Sequence, residues 1–323
     1  MSDVPSPRPF FVAKPREALM SKVIPVFDHS REPNAGRMPA WIRQPLAADP
    51  RYGATGQAVH GQRLHTVCEE ARCPNRGECW SAGTATFMLL GDTCTRACGF
   101  CAVKTGRPQW HDPGEPSRVA EAVARMRLDY VVLTSVNRDD LPDGGAGIYA
   151  GTIAALRRQQ PDIGIELLTP DFHRRQRQAV ETIHGRLQTV LAPNRAVQLV
   201  WGHNVETVPA LYRTVRKGSD YRRSLDLLAT VAALPGVEAK SALMLGLGEQ
   251  PEDVRKVLAD LRAAGVQRLA LGQYLRPSRY HLPVRHYVPP AEFDAWADTA
   301  RELGFSWVKA GPMVRSSYHA EDE

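Results

Sequence analysis

The sequence predicts an α/β protein built on a parallel sheet, with a barrel-like arrangement favoured over an open doubly wound one. Three observations carry this. From residue 85 onward, short apolar, β-branched runs alternate with helix-like stretches, the pattern of strands joined by crossover helices. Polar residues cluster just after the strand-like runs (Thr134, Ser135, Asn137, Thr169, His203, Asn204, Gln273), where a parallel barrel builds its site. No Gly-x-Gly-x-x-Gly separates a first strand from its helix, so a dinucleotide-binding Rossmann domain is not supported.

The elements follow in order. Residues 1–60 are rich in proline, glycine and charge, with weak periodicity, and read as an N-terminal extension. Residues 61–84 carry the first cysteines among small turn residues. Strands are expected at Ala85–Leu90, Tyr130–Val136, Gly164–Thr169, Val197–Trp201, Ala239–Leu247 and Leu269–Tyr274, within a body spanning residues 85–285. Helices are expected at Pro116–Met126, Gly147–Arg158, Thr207–Val215, Tyr221–Leu234 and Glu252–Ala264. Residues 286–323 form a C-terminal extension with a short helix near Ala291–Leu303 and a last apolar run, Trp307–Ala310.

Composition bounds the function. The chain has 323 residues, 43% of them hydrophobic, enough for a sizeable core. No stretch approaches the ~18–20 consecutive apolar residues of a membrane helix, so no membrane partner is expected. The first residues lack the basic start and apolar middle of a secretory signal, and Asp3, Glu17 and Asp28 do not suit a transit peptide. A cytoplasmic protein is expected. The net charge of +6 suits an acidic partner or anionic substrate, or is simply a solvated basic surface. The basic residues are scattered, which does not favour nucleic acid.

The six cysteines all lie between Cys68 and Cys101. Cys68, Cys73 and Cys79 form a C-x4-C-x5-C group, and Cys94, Cys98 and Cys101 a C-x3-C-x2-C group. Disulfides belong to oxidising compartments and small secreted domains. Zinc favours two close ligand pairs, although His65 could complete one site. Iron–sulfur clusters take closely spaced thiolate runs. Each triplet supplies three ligands to a four-iron cluster and leaves one iron open to another ligand or to substrate. The second group follows the first expected strand, at the mouth of the body, and Phe100 there could shield a cluster from water.

The C-x3-C-x2-C loop after a first strand resembles the signature of the radical S-adenosylmethionine (SAM) superfamily. The other group, Cys68-Glu-Glu-Ala-Arg-Cys73-Pro-Asn-Arg-Gly-Glu-Cys79-Trp80, resembles the auxiliary-cluster motif of the lipoyl synthase family. So do Thr134–Gly145, Ile165–Phe172, Asn204–Val208, Lys240–Glu249, Gly272–Ser278 and the tail Gly311–Tyr318, over roughly residues 64–320. The resemblance implies a partial (β/α)6 TIM-like barrel and a sulfurtransferase activity. Two sulfur atoms would be inserted at C6 and C8 of an octanoyl chain held on a lysine. The carriers would be lipoyl domains of 2-oxoacid dehydrogenases and the glycine-cleavage H protein. An electron donor and a cluster-repair protein would serve the reaction. The cofactors would be SAM and two 4Fe-4S clusters, one of them the sulfur donor.

On this resemblance Cys94, Cys98 and Cys101 hold the SAM cluster. Cys68, Cys73 and Cys79 hold the auxiliary cluster, with Ser317 as its fourth ligand and Arg315 near the tail or the cluster's charge. Candidate SAM contacts, by position in the barrel, are Thr134, Ser135, Asn137, Glu166, Asn204, Glu206 and Arg216, the last suited to a carboxylate through its planar fork. Gly246 and Gly248 sit where backbone could approach adenine. The chain departs from the family pattern at Gly202, Ala242, His173-Arg174 and Arg276, none of them an expected cluster ligand. A biotin-synthase-like enzyme and a zinc-stabilised binding module are the alternatives. The first has a different second ligand set; iron and sulfide content separates the second.

Overall fold

The computed structural model describes residues 36–42, 49–190 and 199–320. Most of the expected N-terminal extension, and the first residues of the run expected at Val197–Trp201, lie outside them.

The cysteine-rich segment precedes the body as short pieces. Helix α1 (Arg51–Gly61) leads to a two-residue strand β1 (His65–Thr66). Helix α2 (Val67–Glu70) follows, where Thr66 caps the start by accepting from the Glu69 N–H at 3.3 Å. Helix α3 (Arg76–Ser81) then buries Trp80, whose ring packs against Tyr52 and His60.

The body alternates as the sequence pattern demands. Strand β2 (Thr86–Leu89) is wholly buried. A loop holding the two-residue strands β3 (Thr93–Cys94) and β4 (Lys104–Thr105) comes next. Helix α4 (Glu115–Met126) has Pro116 in its first turn and is closed by Arg127 in the left-handed region, φ 54°. Then follow β5 (Tyr130–Ser135), α5 (Ala146–Gln159), β6 (Gly164–Leu168), α6 (Gln176–Val190) and β7 (Leu199–Gly202). Helix α7 (Tyr212–Val215) is one turn, and α8 (Tyr221–Ala232) is capped by Asp220, which accepts from the Arg223 N–H at 2.7 Å. Strand β8 (Val237–Leu245), α9 (Pro251–Ala263), β9 (Arg268–Gln273), α10 (Pro290–Glu302) and β10 (Trp307–Gly311) complete the chain.

The main sheet has eight strands in the order β1-β2-β5-β6-β7-β8-β9-β10. Every neighbouring pair is parallel except β1 with β2. The expected strands are all present. The run at Trp307–Ala310, read as tail, is a seventh parallel strand, because its apolar residues pair along β9 from Trp307 opposite Arg268 to Gly311 opposite Gly272. Among the described residues β1 and β10 do not pair, yet the tail after β10 bridges the two sides of the sheet. Thr86 of β2 donates to Ser317 at 2.9 Å, Asn75 donates to the Met313 carbonyl at 2.7 Å, and Tyr318 donates to Glu78 at 2.9 Å. Gly272 permits this approach: a Cβ there would overlap the Val314 carbonyl oxygen.

The main core is a contiguous set of buried side chains between the sheet and its helices, with Phe87, Leu133, Ile165, Leu167, Trp201 and Leu271 fully enclosed, and a smaller apolar cluster lies apart from it. Among the described residues no helix is long and apolar enough to cross a membrane.

Candidate active site

The C-terminal strand ends surround a cavity of about 320 Å³ whose wall includes Cys94, Cys98 and Cys101. The loop bearing them is stitched down along its length. Cys94 lies in the β3–β4 pair and its carbonyl accepts from Gly106 N–H at 2.9 Å. Thr95 N–H donates to the Asn137 carbonyl at 3.0 Å, and Gly99 N–H to the Val215 carbonyl at 2.9 Å. Phe100 lines the cavity and packs on a small apolar cluster with Val215, Tyr274 and Leu282.

Arg96 is the loop's chief anchor. It stands between Cys94 and Cys98 and is 7% exposed. Its Nε and Nη2 grip Asp139 at 2.9 Å each, while Nη2 and Nη1 grip Asp171 at 2.6 and 2.8 Å. Nη1 also donates to Ser219 at 3.0 Å, and Arg223 reaches Asp171 at 2.9 Å. Burial alone would raise the Asp171 carboxyl, but the Arg96 fork outweighs it and holds that group well below the usual carboxylate range.

A second cavity, of about 380 Å³, lies toward the N-terminal strand ends. Cys68, Cys73 and Cys79 line it together with Arg315 and Ser317. Val67, Cys73, Arg315 and Ser317 line both cavities and so form the partition between them. The two triplets therefore face two adjacent chambers.

All six cysteines are free thiols. Burial pushes Cys68 up to about 11 and Cys98 to about 12, and raises Cys73, Cys94 and Cys101 as well. Such thiols stay protonated at neutral pH unless a cation replaces the proton, as metal binding does. Backbone N–H groups of Arg96 and Asn137 point at the Cys94 sulfur at 3.5 and 3.3 Å. Among the described residues no group of His, Cys, Asp or Glu converges on one mononuclear ion. Soft sulfur donors spread around a chamber fit a cluster, whose irons each take their own thiolate.

A model of the radical SAM superfamily matches residues 88–261. The lipoyl synthase of Methylococcus capsulatus is 53% identical over 294 residues, covering 90% of this chain and 88% of that protein. The lipoyl synthase of Thermus thermophilus is 53% identical over 293 residues, covering 90% and 87%, and that of Rubrobacter xylanophilus 50% over 287 residues, covering 88% and 86%. The chain belongs to the lipoyl synthase family. The resemblance that rests on the two cysteine groups and the Arg-Ser-Ser-Tyr tail is thereby borne out.

Within this lipoyl synthase family fold, most of the residues expected at the site do meet at the first cavity. Thr134, Ser135, Asn137, Asn204, Glu206 and Arg216 all line it. Arg216 is held rigidly, donating to Tyr212 at 3.1 Å and Ser224 at 3.0 Å, with its Nη2 facing the His203 Nε2 at 3.1 Å. His203 Nδ1 meets the Thr169 carbonyl at 2.8 Å, and that hydrogen bond fixes Nε2 as the acceptor. Burial and Arg216 push this imidazole down to about 3, so it is neutral. Among the described residues no carboxylate lies within ion-pair distance of Arg216, although the Glu206 carboxylate and this guanidinium act on each other across the cavity wall. Glu206 has φ 66°, and burial raises its carboxyl.

Glu166 is the exception. It does not line the cavity, and its carboxylate is taken by Lys240 at 2.8 and 2.9 Å and by Tyr130 at 3.2 Å. It sits a layer below the mouth, where a buried carboxylate needs a cation more than a ligand does. Sequence reasoning misses Arg96, Asp139 and Asp171, whose only signal is acidic residues closely following two strand-like runs. Of the departures from the family pattern, Ala242 lies on the cavity wall, whereas Arg276 braces its own loop by donating to the His281 and Arg279 carbonyls.

Proposed function

We propose that the chain is a radical SAM sulfurtransferase that converts protein-bound octanoyl groups to lipoyl groups, inserting sulfur at C6 and C8. The observation that carries this reading is the pair of adjacent thiol-lined chambers sharing one partition. An unactivated methylene C–H has no acidic proton, so proton transfer by side chains cannot break it. SAM and four-iron clusters, when bound, supply the radical and the sulfur, and the protein supplies position and a dry site.

Cys94, Cys98 and Cys101 would hold the cluster that binds SAM, with Arg96 fixing the loop. Thr134, Ser135, Asn137, Asn204 and Glu206 would meet SAM's polar groups, and Arg216 its carboxylate. Cys68, Cys73, Cys79 and Ser317 would hold the auxiliary cluster, the sulfur source. The octanoyl chain, carried on a lysine of a lipoyl domain or H protein, would reach between the chambers. An external electron donor and a cluster-repair protein complete the cycle, in a cytoplasmic setting.

Cysteine replacements test the division of roles. Changing Cys68, Cys73 and Cys79 to Ala is expected to leave SAM cleavage but remove lipoyl product. Changing Cys94, Cys98 and Cys101 to Ala is expected to remove SAM cleavage itself. Lipoyl product from the first variant would overturn the assignment of the sulfur source.

A further inference from the structure

The second chamber contains a contact that the cysteine reading does not use. Thr86 lies at the start of β2, 5% exposed, on the same strand face as Met88. Met88 lines the first cavity and Thr86 the second. The Thr86 hydroxyl donates to Ser317 Oγ at 2.9 Å. Thr86 thus bonds directly to one of the four donors of the auxiliary site.

The other tail contacts flank Ser317 without touching its hydroxyl: Asn75 holds the Met313 carbonyl, and Tyr318 holds Glu78. They bring the segment to the chamber but leave the serine side chain to be oriented by something else. Among the described residues Thr86 is the side chain bonded to it. A β-branched side chain has a stiff χ1, so this donor is fixed in direction. Valine fits a buried strand equally well, so the strand itself does not call for the hydroxyl. A serine oxygen bound to iron has no proton and can only accept, which suits a threonine donor. Once the serine leaves iron, the same pair can remain bonded, so Ser317 has a protein partner in both states.

We propose that Thr86 is a positioning residue of the auxiliary site: its hydroxyl orients Ser317 as a ligand and governs how readily the serine-bound iron departs. This rests on the reading of Ser317 as a ligand. The test uses the anaerobic holoprotein with both clusters and neither SAM nor reductant, so that turnover plays no part. Iron-57 Mössbauer spectra and the rate of iron release to a chelator are compared for wild type, Thr86→Val, Thr86→Ser, Thr86→Ala and Ser317→Ala.

Thr86→Val is expected to diminish the oxygen-ligated iron signal and to release iron about tenfold faster, roughly the factor that one hydrogen bond to a charged group is worth. Thr86→Ser is expected to restore both. Should valine disturb the first cluster's spectrum, the Ser and Ala variants carry the same comparison: slow release with Ser and fast with Ala supports the proposal, and equal rates overturn it. Unchanged spectra and release in Thr86→Val, with both altered in Ser317→Ala, would overturn the role of Thr86 alone. No change in Ser317→Ala would remove the ligand assignment and the proposal with it.

Discussion

Replacing Asp171 by Asn tests the anchor beneath the first cysteine loop. The exchange keeps the shape but removes the charge, and it turns an amide NH2 toward Arg96 or Arg223 in place of an acceptor. Both partners are enclosed: the side chains of Arg96 and Asp171 are 4% and 0% exposed. Breaking a buried pair costs about 3–5 kcal/mol because the remaining charge is left unpaired. Asp139 stays bound to Arg96, so the lower end, about 3 kcal/mol, is expected. At about 2 °C per kcal/mol for a chain of this size, the melting midpoint of the cluster-free protein should fall by about 6 °C. The Asp171 carboxyl is depressed on folding, so its contribution is present above the unfolded carboxylate value of about 3.9 and is lost as pH falls through the still lower folded value. The deficit of the variant should therefore hold from about pH 5 to 8 and narrow only in strong acid. After reconstitution the variant should also retain less iron at the first site, because Cys94 and Cys98 flank Arg96, which then keeps only its Asp139 and Ser219 partners. A midpoint unchanged from wild type, with full iron, would refute the anchoring argument.

Three further outcomes follow from other contacts. His203 is neutral in the fold and pushed down to about 3, so stability should be full above the ordinary imidazole value and decline as pH falls below it. Between about pH 6.5 and 5 the loss should reach about 2 kcal/mol in urea titrations, a slope that His203→Asn should flatten. Gly272→Ala should force the tail off β9, and absorption spectra should show loss of the auxiliary cluster with SAM cleavage retained. Lys240→Met leaves Glu166 buried without its cation and should cost about 3–5 kcal/mol by denaturant unfolding, while Lys240→Met with Glu166→Leu should recover much of it.

Much of the sheet is legible because buried parallel strands read as short apolar runs closed by polar residues, β-branched at Tyr130–Ser135 and Leu- and Ala-rich at Arg268–Gln273. What failed was non-local. The run at Trp307–Gly311 reads as a tail until β9 provides its partner. Helix α6 has no bounds in the sequence reading, although Ala179, Val180, Ile183 and Leu187 recur at helical spacing on one buried face. Helix α1 lacks a clear apolar stripe and so reads as part of the N-terminal extension. The cysteine triplets and the serine tail were readable as motifs. Arg96 was not, because its partners Asp139 and Asp171 are 43 and 75 residues away and nothing local marks them. For Glu166, strand position gives the face of the residue but not its depth. Its side chain reaches Lys240 before it reaches the mouth.

Mass spectrometry of an octanoyl-lysyl carrier peptide incubated anaerobically with the holoprotein, SAM and reductant reads the sulfur insertion itself. The expected product has gained two sulfur atoms, with methionine and 5′-deoxyadenosine formed alongside. SAM cleavage that leaves the octanoyl peptide free of sulfur would contradict it.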